Sequence, residues 1–193
     1  MDFGAAVGLR RLRKRADAEV TILMTSAQVG RFTLRDLNPW EGAALFVLTG
    51  NPDVTRYMGF RTHESVDEAT RLIEQYRNSI AKWQAVCPAD NPNDILGVIG
   101  LEVARHQATM SIMFRSDWKA RGAGREFCKP FVQWIFTHPQ TWRLWTYVHI
   151  KNTAGQRVTE RMGAQCEGVL RRFEFFPNVS TEPQDCYVYS IVR

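Results

Sequence analysis

Residues 116–127 read SDWKARGAGREF, with Gly122 and Gly124 set among Lys119, Arg121 and Arg125, and Lys129 just beyond. A solvated surface run needs the charges but not the glycines. A simple turn needs one glycine and no flanking cations. Glycine lets a backbone approach a ligand closely, and the amides that open a helix carry partial positive charge. The combination predicts a seat for a multiply charged anion, between a strand ATMSIMF (108–114) and a helix from Gly122 to Phe136. Phe127, Phe131, Trp134 and Ile135 share one face of that helix. Pro130 cannot donate to the carbonyl four residues back, which predicts a kink or a shortened first segment.

Three phosphate-binding patterns compete for this stretch. A P-loop needs GxxxxGK[ST], which does not follow Gly122-Ala123-Gly124. A dinucleotide fingerprint needs GxGxxG, but its third glycine falls on Phe127, and TWRLWTYV lacks the acidic ribose partner. The third pattern is a strand–loop–helix nest whose amides grip a diphosphate, with Lys119, Arg121 and Arg125 adding full charges. That best fits a pantetheine-linked diphosphate such as coenzyme A.

Working outward, 193 residues with 45% hydrophobic and 23% charged side chains read as one globular domain. No apolar run approaches the ~20 residues that span a bilayer. The start, MDFGAAVGLRRLRKR, places its cations after the apolar stretch, the reverse of a secretory signal, so a cytoplasmic chain without membrane partners is expected. Cys87, Cys128, Cys166 and Cys186 are scattered and read as reduced, mostly buried thiols. The four histidines are equally dispersed, so no metal is expected. The net charge is +5, and residues 10–15, RRLRKR, hold five cations in six positions. They read as a solvated tail or, more sharply, as an RNA or ribosome contact.

RFTLRDL (31–37) alternates as a half-buried strand, and a helix is expected from Asn38-Pro39 until GNP (50–52) ends it. Ser65 with Glu68 forms a capping box for a helix whose apolar face takes Ala69, Leu72, Ile73, Tyr76 and Ile80. PADNPND (88–94) separates WQAVC from the strongly apolar strand ILGVIGLEVA. RLWTYVHI (143–150) reads as a strand and NTAGQRVTERMG (152–163) as a helix closed by Gly163. GVLRRFEFF and CYVYSIV read as the last strands. Mixed strands and helices with a β-α-β second half predict a single α/β or α+β domain.

The stretch WKARGAG resembles motif A of the GNAT superfamily of acetyl-CoA-dependent N-acetyltransferases, (Q/R)-x-x-G-x-(G/A), over Lys119, Ala120, Arg121, Gly122, Ala123 and Gly124. Downstream, NTAGQRVTERMGAQCEGVLRR resembles the family's N-x-x-S-x-R-V-x-E-K-x-G-F-x-x-E-G-V-L-R. The matching residues are Asn152, Arg157, Val158, Glu160, Gly163, Glu167, Gly168, Val169, Leu170 and Arg171. NPDVTRYMGF and CYVYSIVR are similar to the branch holding ribosomal-protein N-terminal (alanine or serine) acetyltransferases. The resemblance covers about 31–193, leaving residues 1–30 as a basic extension.

It implies a twisted mixed sheet whose central strands, here ATMSIMF and RLWTYVHI, splay apart and are flanked by helices. Acetyl-CoA would enter the splay, its pantetheine on backbone groups near Met113, Phe114 and Arg115. Its diphosphate would rest on the amides from Arg121 to Arg125. Asn152 and Arg157 would steady it from the second arm, and the Phe114 N–H would serve as oxyanion hole. Many relatives carry a base carboxylate where this chain has Ala108 and Thr109, and others place a glutamate where Glu174 stands. Glu174, flanked by Phe173 and Phe175, is therefore the expected base, with Glu102 in reserve. The family's acidic tyrosine falls on Thr159 and the branch's serine on Gly155. Either Tyr147, Tyr187 or Tyr189 serves as acid, or the thiolate leaves unassisted.

The implied activity is transfer of acetyl from acetyl-CoA to a primary amine: a protein or peptide N-terminus, or a small amine. Two alternatives stay open, a catalytically weak acyl-CoA sensor and an enzyme for RNA-borne amines. The acceptor pocket is expected between TRYMGF (55–60) and the last hairpin, with Tyr57, Met58, Phe60, Phe175 and Phe176 as lining. Either a monomer or a homodimer is compatible with this reading.

Overall fold

The computed structural model describes residues 26–120 and 123–193, and of residues 119, 120 and 123–125 the backbone only. Along the chain run β1 (Ala27–Val29), β2 (Phe32–Asp36), α1 (Gly42–Thr49), α2 (Pro52–Thr55), α3 (Val66–Arg77), β3 (Lys82–Pro88) and β4 (Gly97–Ala104). They are followed by β5 (Gln107–Phe114), α4 (Ser116–Ala120), α5 (Ala123–Ile135), β6 (Arg143–His149), α6 (Thr153–Arg161), β7 (Gln165–Glu174) and β8 (Gln184–Val192). The eight strands form one sheet in the order β1-β2-β3-β4-β5-β6-β8-β7. Every ladder is antiparallel except β5–β6, whose parallel pairing requires the crossover that α4 and α5 supply. The expected mixed α/β sheet is the observed fold.

Strand alternation sorts the side chains into two cores. Phe32, Leu34, Ile99, Met110 and Phe114 pack under Phe127, Phe131 and Ile135 of α5 and Met162 beyond α6. Val98 and Met113 face the other way, onto Leu45, Leu48, Ala69, Leu72 and Ile73 of α1 and α3. The sheet is therefore sandwiched between α1–α3 on one face and α5–α6 on the other.

Local chemistry explains where the elements depart from expectation. The helix expected from Asn38 begins at Gly42, because Glu41 folds back to accept the Asn38 N–H at 2.7 Å while Arg35 grips its carboxylate. GNP does not merely end α1. Asn51 accepts the Asp53 N–H at 2.9 Å and Pro52 occupies the first helical position, so the same residues start α2. The α3 cap is shared over two residues: Ser65 Oγ accepts from Glu68 N–H, and Glu68 reaches back to Glu64 N–H. Because α3 stops at Arg77, Ile80 lies outside its apolar face and is exposed. Pro130 sits inside α5, which runs on to Ile135. The strand β1 was not expected; Gly30, at φ +60°, turns it back onto β2. Cys87, Cys128 and Cys186 are buried free thiols and Cys166 is exposed. Among the described residues no helix is long and apolar enough to cross a membrane. The basic run 10–15 lies outside the described residues.

Candidate active site

Two strands of the central seam part company. The β5–β6 ladder pairs Gln107, Ala108 and Thr109 with Arg143, Leu144 and Trp145, and stops there. The Arg143 N–H bonds to His106 O, so odd-numbered residues of β6 turn their backbone groups towards β5. A continued ladder would next bring Tyr147 N–H onto Met110 O. Instead the Thr146 hydroxyl donates to that carbonyl at 2.8 Å, closing the apex of a wedge.

Which backbone groups line the wedge follows from register. Arg115 N–H donates to Leu96 O at 2.8 Å, so Arg115, Met113 and Ser111 are the residues bonded to β4. The alternate residues, Ile112 and Phe114, turn their N–H and C=O away from β4 into the wedge. Tyr147 does the same from β6. Gly97 lies opposite Phe114; a Cβ there would meet the Phe114 ring and the Met113 carbonyl at 2.5 Å, so this rung tolerates only glycine.

Beyond the apex, on the sheet face of α1–α3, stands a polar pair. The Tyr147 hydroxyl donates to Glu174 Oε2 at 2.9 Å, and the Phe175 N–H donates to Oε1 at 2.8 Å. Burial, with the Glu174 carboxylate beside it, pushes the Tyr147 phenol well above its usual range, so it stays a donor. Glu174 arrives there through a bulge: the β7–β8 register slips by two residues between Leu170 and Glu174. Within the bulge Arg172 takes φ +47°, and its N–H is held by Asp185 at 2.8 Å.

Aromatic rings continue the surface past this pair. Phe173 meets the Tyr147 ring edge-on at 4.9 Å. His149, 1% exposed, lies between Tyr57 at 4.8 Å and Phe176 at 5.0 Å. Its Nδ1 accepts the Lys151 N–H at 3.0 Å, and burial lowers its pKa, so it is a neutral ring.

A parallel seam that opens after three rungs, above a β-α-β crossover, is the hallmark expected of the resemblance. A sequence model described as an acetyltransferase (GNAT) domain matches residues 31–165. The chain belongs to the GNAT acetyltransferase family. It is similar to the uncharacterized N-acetyltransferase YoaA of Bacillus subtilis, 26% identical over 86% of this chain and 96% of that protein. Among solved structures it resembles the ribosomal L7/L12 alpha-N-protein acetyltransferase RimL in complex with coenzyme A. That likeness has a TM-score of 0.69 at 14% identity, over 86% of this chain and 97% of that one. It also resembles the spermidine N-acetyltransferase of Vibrio cholerae, solved with CoA and spermine, with a TM-score of 0.68 at 20% identity, over 84% and 95% of the two chains. The common fold hosts unlike acceptors, so it does not choose one for this chain.

This GNAT chain is an acetyl-CoA-dependent acetyltransferase, and its wedge suits that cosubstrate. Backbone donors and acceptors without a strand neighbour match an amide-rich pantetheine arm. Of the residues expected to bind it, Phe114 faces the wedge. Met113 turns its side chain into the α1–α3 core. Arg115 is committed elsewhere: its N–H to Leu96, its guanidinium to Asp94 and Asp117 at 2.6 and 2.8 Å. Ala123, Gly124 and Arg125 form the first turn of α5, and Lys119 and Ala120 end α4. Arg121 and Gly122 lie outside the described residues, as do the side chains from Lys119 to Arg125. Asn152 caps α6 by accepting the Gly155 N–H at 3.0 Å, and Arg157 is exposed on that helix.

The catalytic candidates separate by position. Glu174 stands on the open side of the apex, next to Tyr147. It is half-buried, while its sequence neighbours Phe173 and Phe175 are 38% and 53% exposed. Glu102 lies opposite Thr109, on the closed side of the apex. Thr159 spends its hydroxyl on Gly155 O at 2.9 Å. A Cβ on Gly155 would sit 2.6 Å from Asn152 Nδ2, so a side chain there would require the Asn152 amide to move. Tyr189 turns to Glu160 on α6, and burial pushes its phenol up to about 12. Met58 and Phe60 pack against the α1–α3 core and Phe176 is buried; of the expected lining Phe175 alone is exposed, with Tyr57, Met58 and Phe60 half-buried. Thr146, the apex hydroxyl, and His149 had no signal in local patterning, because their roles depend on where β5 and β6 separate.

Proposed function

We propose that this protein transfers acetyl from acetyl-CoA to the α-amine of a peptide or protein by direct attack, with Glu174 as general base. The observation that carries this is the Glu174–Tyr147 pair, placed two residues past the last β5–β6 rung. On this reading the amides of Ile112 and Phe114 hold the pantetheine and thioester, and the Phe114 N–H stabilises the charge that develops on the carbonyl oxygen. The diphosphate is assigned to the stretch from Arg121 to Arg125, whose last three residues open α5, with Asn152 and Arg157 at the second arm. Glu174 takes the proton that the ammonium must lose before it can attack. Tyr147, locked as a phenol, holds that carboxylate in place.

The acceptor side favours a single amine with an apolar neighbour. Tyr57, Phe175 and Phe173 present rings there. Of the nearby carboxylates, Glu174 serves the reacting amine, Asp185 is spent on the Arg172 N–H and Glu182 faces Arg172. A polyamine needs a counter-charge for each remote ammonium, and of these walls only the outer Glu64 is left to supply one.

The test is CoA thiol release from acetyl-CoA against peptides with varied first residues, spermidine and simple alkylamines. Turnover confined to peptides is expected. Turnover of spermidine alone would overturn the acceptor assignment, and acetyl-CoA binding without release to any amine would favour a sensor.

A further inference from the structure

We propose that Asn178 is a positioning residue that sets acceptor selectivity by stapling the two acceptor-side walls together. The inference rests on the placement of the acceptor just given. One wall is the segment between α2 and α3, residues 56–65; the other is the connection between β7 and β8, residues 175–183. Neither is a helix or a strand, so neither has a ladder to fix its backbone groups, and those groups must find partners elsewhere.

Asn178 supplies them. Its Nδ2 donates to Thr55 O at 2.9 Å and to Phe60 O at 2.8 Å. Its Oδ1 accepts from Thr62 N–H at 3.0 Å and, more weakly, from the Thr62 hydroxyl at 3.4 Å. Two carbonyls demand the amide nitrogen and a backbone N–H demands the oxygen, so the orientation of this amide is dictated by its partners. One side chain thus ties together the last residue of α2 and two points of the segment after it, more than a hundred residues away in sequence. The Thr62 hydroxyl also meets Thr55 Oγ1 at 2.7 Å, pinching the base of the loop.

Between the stapled points stands Tyr57. Its ring lies on His149, its edge meets Phe176 at 6.5 Å, and its hydroxyl donates to Lys151 O at 3.2 Å. The segment is therefore tied at its ends to the β7–β8 connection and at its middle to the end of β6, the strand that carries Tyr147. The gap between walls is set in advance rather than by the acceptor. A preset gap selects by size, since a larger first residue must break the staple to enter.

The experiment compares Asn178→Ala and Asn178→Asp with the parent chain in acetyl-CoA thiol release. The panel is peptides beginning with Ala, Ser, Leu or Phe, with spermidine and an alkylamine alongside. The KM for acetyl-CoA and the melting temperature are recorded for each. In both variants the acceptor KM is expected to rise tenfold or more. The preference for small over large first residues should fall by a similar factor, with acetyl-CoA KM unchanged within twofold. Asn178→Asp keeps the Thr62 bonds and the size of the side chain, so it carries the comparison should Asn178→Ala not fold. Unchanged selectivity, or a loss in which both KM values and the melting temperature move together, would overturn the assignment. The parent chain alone reports whether peptides are acceptors, so failure of that reading is seen before any variant is made. The ratio of variant to parent is then read on whichever amine turns over.

Discussion

The strand β6 has two edges with opposite fates. Along one it pairs with β8 without interruption, from Arg143–Val192 to His149–Cys186. Along the other it meets β5 over three rungs and then departs. The same residues, Thr146 to His149, make both edges, so β-propensity cannot be the cause. The closed edge is held by an ionic clamp on the face of Tyr147. Arg143 grips Glu167 on β7, and Ser190 on β8 donates to the same carboxylate at 2.6 Å. The open edge is held apart by the Thr146 hydroxyl, which takes the carbonyl that the next rung would have used. One edge is built for stability and the other for a ligand, and variants should respect that division.

The largest effect belongs to the open edge. Glu174→Gln keeps the bond from Tyr147 but cannot take a proton, and kcat should fall by about a hundredfold or more. Melting temperature and acetyl-CoA KM should hardly move. A fall below fivefold would transfer the base role away from Glu174, and Glu102 would be tested next.

Thr146→Val strikes the apex itself. Met110 is 4% exposed, and its carbonyl would lose a donor, which costs about 1–3 kcal/mol when the group stays unsatisfied. Denaturant unfolding should show that loss, with a several-fold rise in acetyl-CoA KM as the wedge loses its shape. Unchanged stability and unchanged KM together would mean that the hydroxyl does not hold the strands apart.

How much of this was legible beforehand differs between the edges too. The sheet, the crossover and the glycines beside cations follow from periodicity and residue type, which are local. Three elements escaped: β1, only three residues long, α2, whose Asn51-Pro52 start doubles as the end of α1, and α4 (Ser116–Ala120), a five-residue helix where a loop was expected. The position of Glu174 could be read from its place after EGVLRR. Its partner could not, because Tyr147 meets it only after β7 slips two residues past β8. Asn178 carried no signal at all, since its partners lie at 55, 60 and 62. Bulges and loop staples are consequences of register, and register is decided by the whole sheet.

The closed edge predicts an effect on stability without one on chemistry. Arg143 and Ser190 hold the Glu167 carboxyl at about 2, below its usual 4.5. A depressed folded-state value stabilises the protein above the unfolded value and is lost as pH falls through the folded one. The clamp should therefore weaken between about pH 4.5 and 2. Glu167→Gln should flatten that part of the acid-unfolding curve and leave kcat at neutral pH intact. At pH 7 the loss should stay below about 1 kcal/mol, because Glu167 is 38% exposed and solvent screens the pair. An acid limb unchanged by the substitution would place the titrating group elsewhere.

The smallest effect is expected behind the closed edge, at Thr159. It occupies the position where the resemblance implies an acid, so a purely family-based account predicts a large loss from Thr159→Ala. The geometry predicts the reverse. Its hydroxyl is spent on the Gly155 carbonyl within α6, and its side chain borders a cavity of only about 10 Å³ with Met110, Leu144, Met162 and Tyr189. A thiolate of pKa near 8.5, on the cysteine scale, leaves near neutral pH without a proton donor. Thr159→Ala should accordingly keep kcat within about threefold, since a back-bonded hydroxyl inside a helix contributes little to it. A hundredfold loss in the same thiol-release assay would restore Thr159 to the chemistry and require α6 to shift when acetyl-CoA binds.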